Sequence, residues 1–215
     1  MTLELFGVTL HEADVALTDV ALAMLGGVCA WKLWRLPART PVQRDGAVIN
    51  AGLAAAALGG AVFHAFFPAK VGTPAGYTIW LLTTGAIALA ATTMLLLTWR
   101  LVRPHTPWLV RGGVAAGYGI GFVATIAWVD PSYRTVILFY GPVLLALLAA
   151  ATRAARHSPS AGWRRIAMGL ALSVVAAVLQ QQRVAVHPVY FDHNALYHLV
   201  QAIALVVLYR GLRAA

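Results

Sequence analysis

Five of the seven histidines in this 215-residue chain, His11, His64, His187, His193 and His198, fall where the charge pattern puts one side of a membrane. Ionisable side chains are costly at membrane depth and face a protein interior or a cavity there. Imidazoles gathered at one depth suit a metal or haem site. The densest stretch runs from His187 to Gln201. Within it Asn194, His198 and Gln201 are spaced i, i+4 and i+7, one polar stripe on an otherwise apolar helix. Asp192 stands where it can cap that helix. His193 and His198 lie roughly 140° apart around a regular helix, so a shared ion requires His193 in the turn before it. His193 is therefore the weaker ligand of the two.

Three further groups belong with these. Glu12 and Asp19 are seven residues apart and share a helix face, with Asp19 about two turns inside an apolar segment. Glu12 and Asp14 also suit the positive end of a helix dipole, a role that does not account for Asp19. His64 precedes Pro68 by one turn at the end of a second apolar segment, where a plain interfacial histidine is the alternative reading. Gln180, Gln181, Gln182 and Arg183 mark a helix leaving lipid, and one of the amides can orient a ligand. Asn194, Gln201, Asp192 and His11 are placed to support the ligating imidazoles, and Asp192 or Asp130 could fix a histidine tautomer.

The elements that position these residues are legible from composition. The chain is 60% hydrophobic and 11% charged, with mean hydropathy +0.76, far from the balance of a soluble domain. Seven apolar segments are expected, near 14–36, 46–67, 76–102, 107–128, 132–155, 161–182 and 192–213. Each is long enough to cross a hydrocarbon core of about 30 Å. Pro37 and Pro41, Pro68 and Pro74, Pro104 and Pro107, Pro131, Pro159 and Pro188 mark the breaks. The segment over 1–14 carries three acids and no Lys or Arg, so the first helix reads as retained rather than as a cleaved signal.

Thirteen of the 16 basic residues flank alternate segment ends: Lys32, Arg35, Arg39 and Arg44; Arg100, Arg103 and Arg111; Arg153, Arg156, Arg164 and Arg165; Arg210 and Arg213. Lys70, Arg134 and Arg183 lie on the other side, with six of the seven acids, all but Asp45. The positive-inside rule then gives an all-α seven-transmembrane-helix bundle, one domain over 1–215, N-terminus outside and C-terminus cytoplasmic. The net charge of +9 reflects membrane flanks, not nucleic-acid binding. Cys29 is the single cysteine, which excludes an intrachain disulfide and any multi-cysteine site. Gly113, Gly117 and Gly121 recur every four residues and predict close helix packing in the fourth segment. Richness in Ala and Arg points to a bacterial plasma membrane.

Taken together, the seven segments, His64 near the outer end of the second, and Asn194-Ala-Leu-Tyr-His198 opening the seventh resemble the CREST superfamily, which includes alkaline ceramidases and adiponectin-receptor-like proteins. The last motif is similar to the His-Ala-Leu-Trp-His run of alkaline ceramidases. The resemblance implies a zinc-dependent hydrolase of lipid amides or esters, with His64 and His198 as ligands. The first position of the family's HxxxH is Asn194, with His193 one residue earlier. The family's serine is Gly60 here, and its helix-three aspartate has no counterpart between residues 77 and 102; Asp19 could substitute in space. On this reading zinc activates a water in the outer leaflet while Asp19 or Glu12 moves the proton, and a membrane lipid is the substrate. Two alternatives are a haem-binding electron carrier with His64 and His198 as axial ligands, and a non-enzymatic receptor or transporter. A retinal protein is disfavoured, because Lys32 and Lys70 both lie away from mid-membrane.

Overall fold

A computed structural model describes residues 2–67, 70–158, 160–187 and 189–215; Pro68, Pro159 and Pro188, three of the expected helix breaks, lie outside the described residues. The chain forms seven helices: α1 Ala13–Trp34, α2 Pro41–Phe66, α3 Pro74–Val102, α4 Trp108–Trp128, α5 Tyr133–His157, α6 Ala161–Gln181 and α7 His193–Arg213. All seven are long and apolar enough to cross a membrane. Six of the starts fall within two residues of expectation. The exception is α2, which begins at Pro41 rather than near 46. Thr40 and Gln43 form a reciprocal capping box and Pro41 sits at the first position, so the helix starts ahead of the charged pair Arg44-Asp45.

A short hairpin precedes α1, and sequence periodicity did not anticipate it. Strand β1 (Leu3–Leu5) pairs antiparallel with β2 (Val8–Leu10), turning through Phe6 and Gly7, both at positive φ. Its exit is pinned by the His11 N–H, which donates to the Ala65 carbonyl at the end of α2 (2.9 Å).

The helices alternate in direction. Tyr133 at the start of α5 bonds Gln180 at the end of α6, and Gln180 bonds Asn194 at the start of α7. At the opposite end Arg100 of α3 meets Asp45 of α2, and Gln43 of α2 donates to the Arg213 carbonyl of α7. One end thus carries most of the acids and histidines, the other most of the bases.

Neighbour contacts run α1–α2–α3–α5–α6–α7 and back to α1, closing a ring of six; α4 packs outside it, mainly on α3. The glycines of α4 do not make the close packing expected of them. A Cβ added at Gly113, Gly117 or Gly121 would meet nothing within 4 Å, and α4 is the least buried helix. Spacing placed these glycines on one face correctly but could not say whether that face meets a helix, and its buried side is that of Ala115, Phe122 and Ile126. The closest approach is between α6 and α7. There a Cβ at Gly211 would stand 2.6 Å from the Ile166 nitrogen, and one at Gly169 would stand 2.8 Å from the Leu208 nitrogen.

The aliphatic core occupies the basic half of the ring, around Leu33, Ile49, Leu97, Leu147, Ile166 and Leu212. A second cluster, Ala88, Ala91, Phe122, Ile126 and Val136, packs between α3, α4 and α5 toward the acidic end.

Candidate functional site

The site starts from the entry to α1. Glu12 adopts a left-handed conformation (φ 45°) that turns the hairpin into the helix, and its carboxylate contacts His64 Nδ1 at the end of α2. Two turns further along α1, Asp19 is buried at 4% exposure. Facing it on α2 is Gly60, where an added Cβ would lie 2.7 Å from Asp19 Oδ2. The absent side chain is what lets α1 and α2 close around a carboxylate at this level.

Across the ring, α7 brings His198 to the same point. Its Nε2 lies 3.1 Å from Asp19 Oδ1 and its Nδ1 lies 3.0 Å from the Thr18 hydroxyl oxygen. The Thr18 hydroxyl also lies 3.0 and 2.9 Å from the carbonyls of Asp14 and Val15. Thr18 and Asp19 thus engage both ring nitrogens of His198. Burial of both groups makes the pair responsive to what enters beside it.

Polar contacts extend above and below this pair. His64 and Glu12 form the layer nearer the acidic end. One turn deeper than His198, Gln201 donates to the Ser173 hydroxyl of α6 at 3.1 Å. To one side Gln180 accepts from the Tyr133 hydroxyl and donates to Asn194 Oδ1, each at 3.0 Å.

These layers form one wall of a cavity of about 210 Å³ inside the six-helix ring. Asp19, His64, His198 and Gln201 line its polar side; Leu53, Trp80, Ile87, Ile137, Leu144 and Leu205 line the rest. Every helix but α4 contributes. The lining thus sets one polar wall against largely apolar surface.

The sequence-selected residues divide accordingly. Asp19, His64 and His198 share the cavity, joined by Asn194 and Gln201. His193 does not join them: it lines a second hollow and sits 3.8 Å from Asp192. Its place at the first position of α7 turns it away from His198, as the helical angle requires. Asp192 caps α7, accepting from the Asn194 and Ala195 N–H groups at 2.8 and 2.9 Å. Asp130 accepts from the Thr135 and Ser132 hydroxyls and the Ser132 N–H. Those hydrogen bonds, Thr135 first, hold its carboxyl below the usual range. The expected tautomer-fixing carboxylate is thus neither of these; Thr18 and Asp19 hold the His198 ring. His187 shapes its loop, accepting the Val189 and Tyr190 N–H groups at 3.2 Å. His11 engages α2 through its backbone alone in the contacts described above. Sequence reasoning missed Thr18, Ser173 and Tyr133 as site residues, because a helical Thr, Ser or Tyr carries no signal of its own until a partner helix is placed.

Of the donors that the CREST resemblance implies, Asp19 and His198 stand together and His64 lines the same cavity. Among the described residues no group of three His, Cys, Asp or Glu is placed to hold a metal ion.

A family model covers residues 15–215, all seven helices except the first two residues of α1. The chain belongs to DUF6962, a family of unknown function. No curated protein matches the chain. The hairpin lies ahead of the stretch that matches DUF6962, whereas Thr18, Asp19, Gly60, His64 and His198 all lie within it.

Proposed function

We propose that this DUF6962 protein is a membrane-embedded hydrolase that cleaves an amide or ester bond of an amphipathic lipid, using Asp19 and His198 as its acid–base pair. The observation that carries this reading is the 3.1 Å contact between two buried titratable groups at the polar wall of an otherwise apolar cavity. The CREST resemblance points to the same substrate class.

Membrane insertion explains the outer surfaces of the helices. Leu17, Leu58, Leu82, Ile120, Leu138 and Ile203 are each more than half exposed, which only lipid makes favourable at such density. The distribution of bases supports a cavity end in the extracytoplasmic leaflet and a cytoplasmic C-terminus. A fluorescent reporter fused after Ala215 should light up only in the cytoplasm.

In the reaction, the lipid chain lies along the apolar wall with its carbonyl carbon beside Asp19. A water attacks that carbon as Asp19 accepts its proton. The same proton passes to the departing nitrogen or oxygen as the carbon–heteroatom bond breaks, leaving a fatty acid and an amine or alcohol. The His198 ring, held by Thr18, balances the charge on Asp19. No step runs through a metal. The basic half of the bundle is packed mainly with aliphatic side chains, which favours a one-sided site over a transport path.

The test is fatty-acid release from fluorescent amide and ester lipids by purified protein in nanodiscs. Wild type should turn over at least one class, and His198→Gln should lose about 10²–10⁴-fold of that rate. Absence of release from both classes by wild type, or full activity in His198→Gln, would overturn the reading. Zinc content and chelator sensitivity, measured on the same samples, decide the metal question independently.

A further inference from the structure

Beside the apolar cavity, at the acidic end of the bundle, lies a second hollow of about 270 Å³. Tyr133, Gln180, Gln181, Arg183, His193 and Asn194 line it, and four of these, Tyr133, Gln180, Gln181 and Asn194, also line the cavity. The two spaces are therefore adjacent, one mainly apolar and the other walled by amides, a phenol, an imidazole and a guanidinium.

Arg183 is the only formally charged group in this lining, and its side chain makes no hydrogen bond or ion pair among the described residues. Its backbone is at φ 53°, directly after the α6 C-cap Gln182. Its N–H bonds the Gln180 carbonyl, and the Val184 N–H bonds the Leu179 carbonyl, each at 3.0 Å. Glycine is the usual residue at such a helix end, because a side chain there is strained. Here the position holds a guanidinium at the rim of a polar hollow. Asp192, next to His193, caps α7 through Oδ1 and lines neither space.

We propose that this hollow binds the head group of the lipid, and that the head group carries a phosphate. A phosphate offers the oxygen acceptors that Arg183 and the Gln181 amide can reach in parallel. The apolar cavity takes the chain of the same molecule. The assignment rests on the hydrolase reading for the bond that is cut, and on the hollow alone for the head group.

The two are separated by measuring binding with lipids that cannot be cleaved. Fluorescent ether-linked phosphatidic acid and the matching ether-linked diradylglycerol are titrated against wild type, Arg183→Gln, Gln181→Leu and His198→Gln in micelles of an uncharged detergent. Wild type should favour the phosphate lipid by about tenfold or more, the scale of one charge-assisted contact. Arg183→Gln should lose that preference without weakening the neutral probe, Gln181→Leu should reduce it, and His198→Gln should keep it. Equal affinity for the two probes in wild type, no binding of either, or an unchanged preference in Arg183→Gln would overturn the assignment. So would complete displacement by millimolar inorganic phosphate alone, which would make the hollow a site for the free ion. None of these outcomes bears on whether a neutral amide or ester lipid is hydrolysed.

Discussion

Asp19 and Asp45 are both buried carboxylates on helices that face other helices, yet their surroundings give them different work. Asp45, near the start of α2, pairs with Arg100 Nε of α3 at 3.0 Å. A guanidinium is always charged, and the pair ties two helices together at the basic end. Asp19 at the acidic end has an imidazole for its partner, a group whose charge is not fixed as a guanidinium's is. It also borders a cavity, which Asp45 does not. The same side chain is a fastener at one end and a proton carrier at the other, because of what the opposite helix presents.

The sharpest way to break this comparison is to neutralise each acid in turn. Asp19→Asn should reduce lipid hydrolysis by about 10²–10⁴-fold while leaving the protein folded, read as turnover beside thermal unfolding in the same detergent. Asp45→Asn should do the reverse, keeping turnover within about twofold and lowering stability by about 2 kcal/mol. That figure is below the roughly 3–5 kcal/mol of a fully buried broken pair, because the Arg100 side chain is 23% exposed. Activity lost equally in both variants would mean that the two acids are not functionally distinct.

A smaller effect is expected from crowding the Asp19 carboxylate without removing it. Gly60→Ala places a methyl group 2.7 Å from Asp19 Oδ2 and should reduce turnover by roughly tenfold, at about 1–3 kcal/mol of stability. Gly117→Ala on α4 meets nothing within 4 Å and should leave activity unchanged, with a stability gain of about 0.5–1 kcal/mol from helix propensity. The smallest effect concerns Asp130, in the loop before α5. Its folded pKa lies below its ordinary 3.8, so the carboxylate favours the fold above that value and the contribution fades as pH falls through the lowered one. Asp130→Asn should therefore be slightly less stable than wild type near neutral pH and converge with it in strong acid, seen in thermal scans across pH.

Much of the fold was legible in the chain because lipid-length apolar runs and proline breaks report on the backbone directly. The start of α2 was less so, since Arg44-Asp45 reads as a loop until Arg100 is placed beside it. The hairpin over Leu3–Leu10 was hidden for the opposite reason: two strands of three residues are too short for periodicity to register. In the site, Asp19 and His198 stood out as ionisable groups inside apolar helices. Thr18 did not, nor did the diversion of His193 to another hollow.

The amino-acid sequence by itself determined the seven helices, their alternating direction and the segregation of most acids and histidines from most bases, because hydrophobic length and flanking charge act locally along the chain. Only the tertiary structure decided that α4 stands outside the ring, that Gly60 makes room for Asp19, and that Asp19 rather than Asp130 or Asp192 meets His198. Those outcomes depend on which faces of remote helices pack together, and a face turns by 100° with each residue of helix.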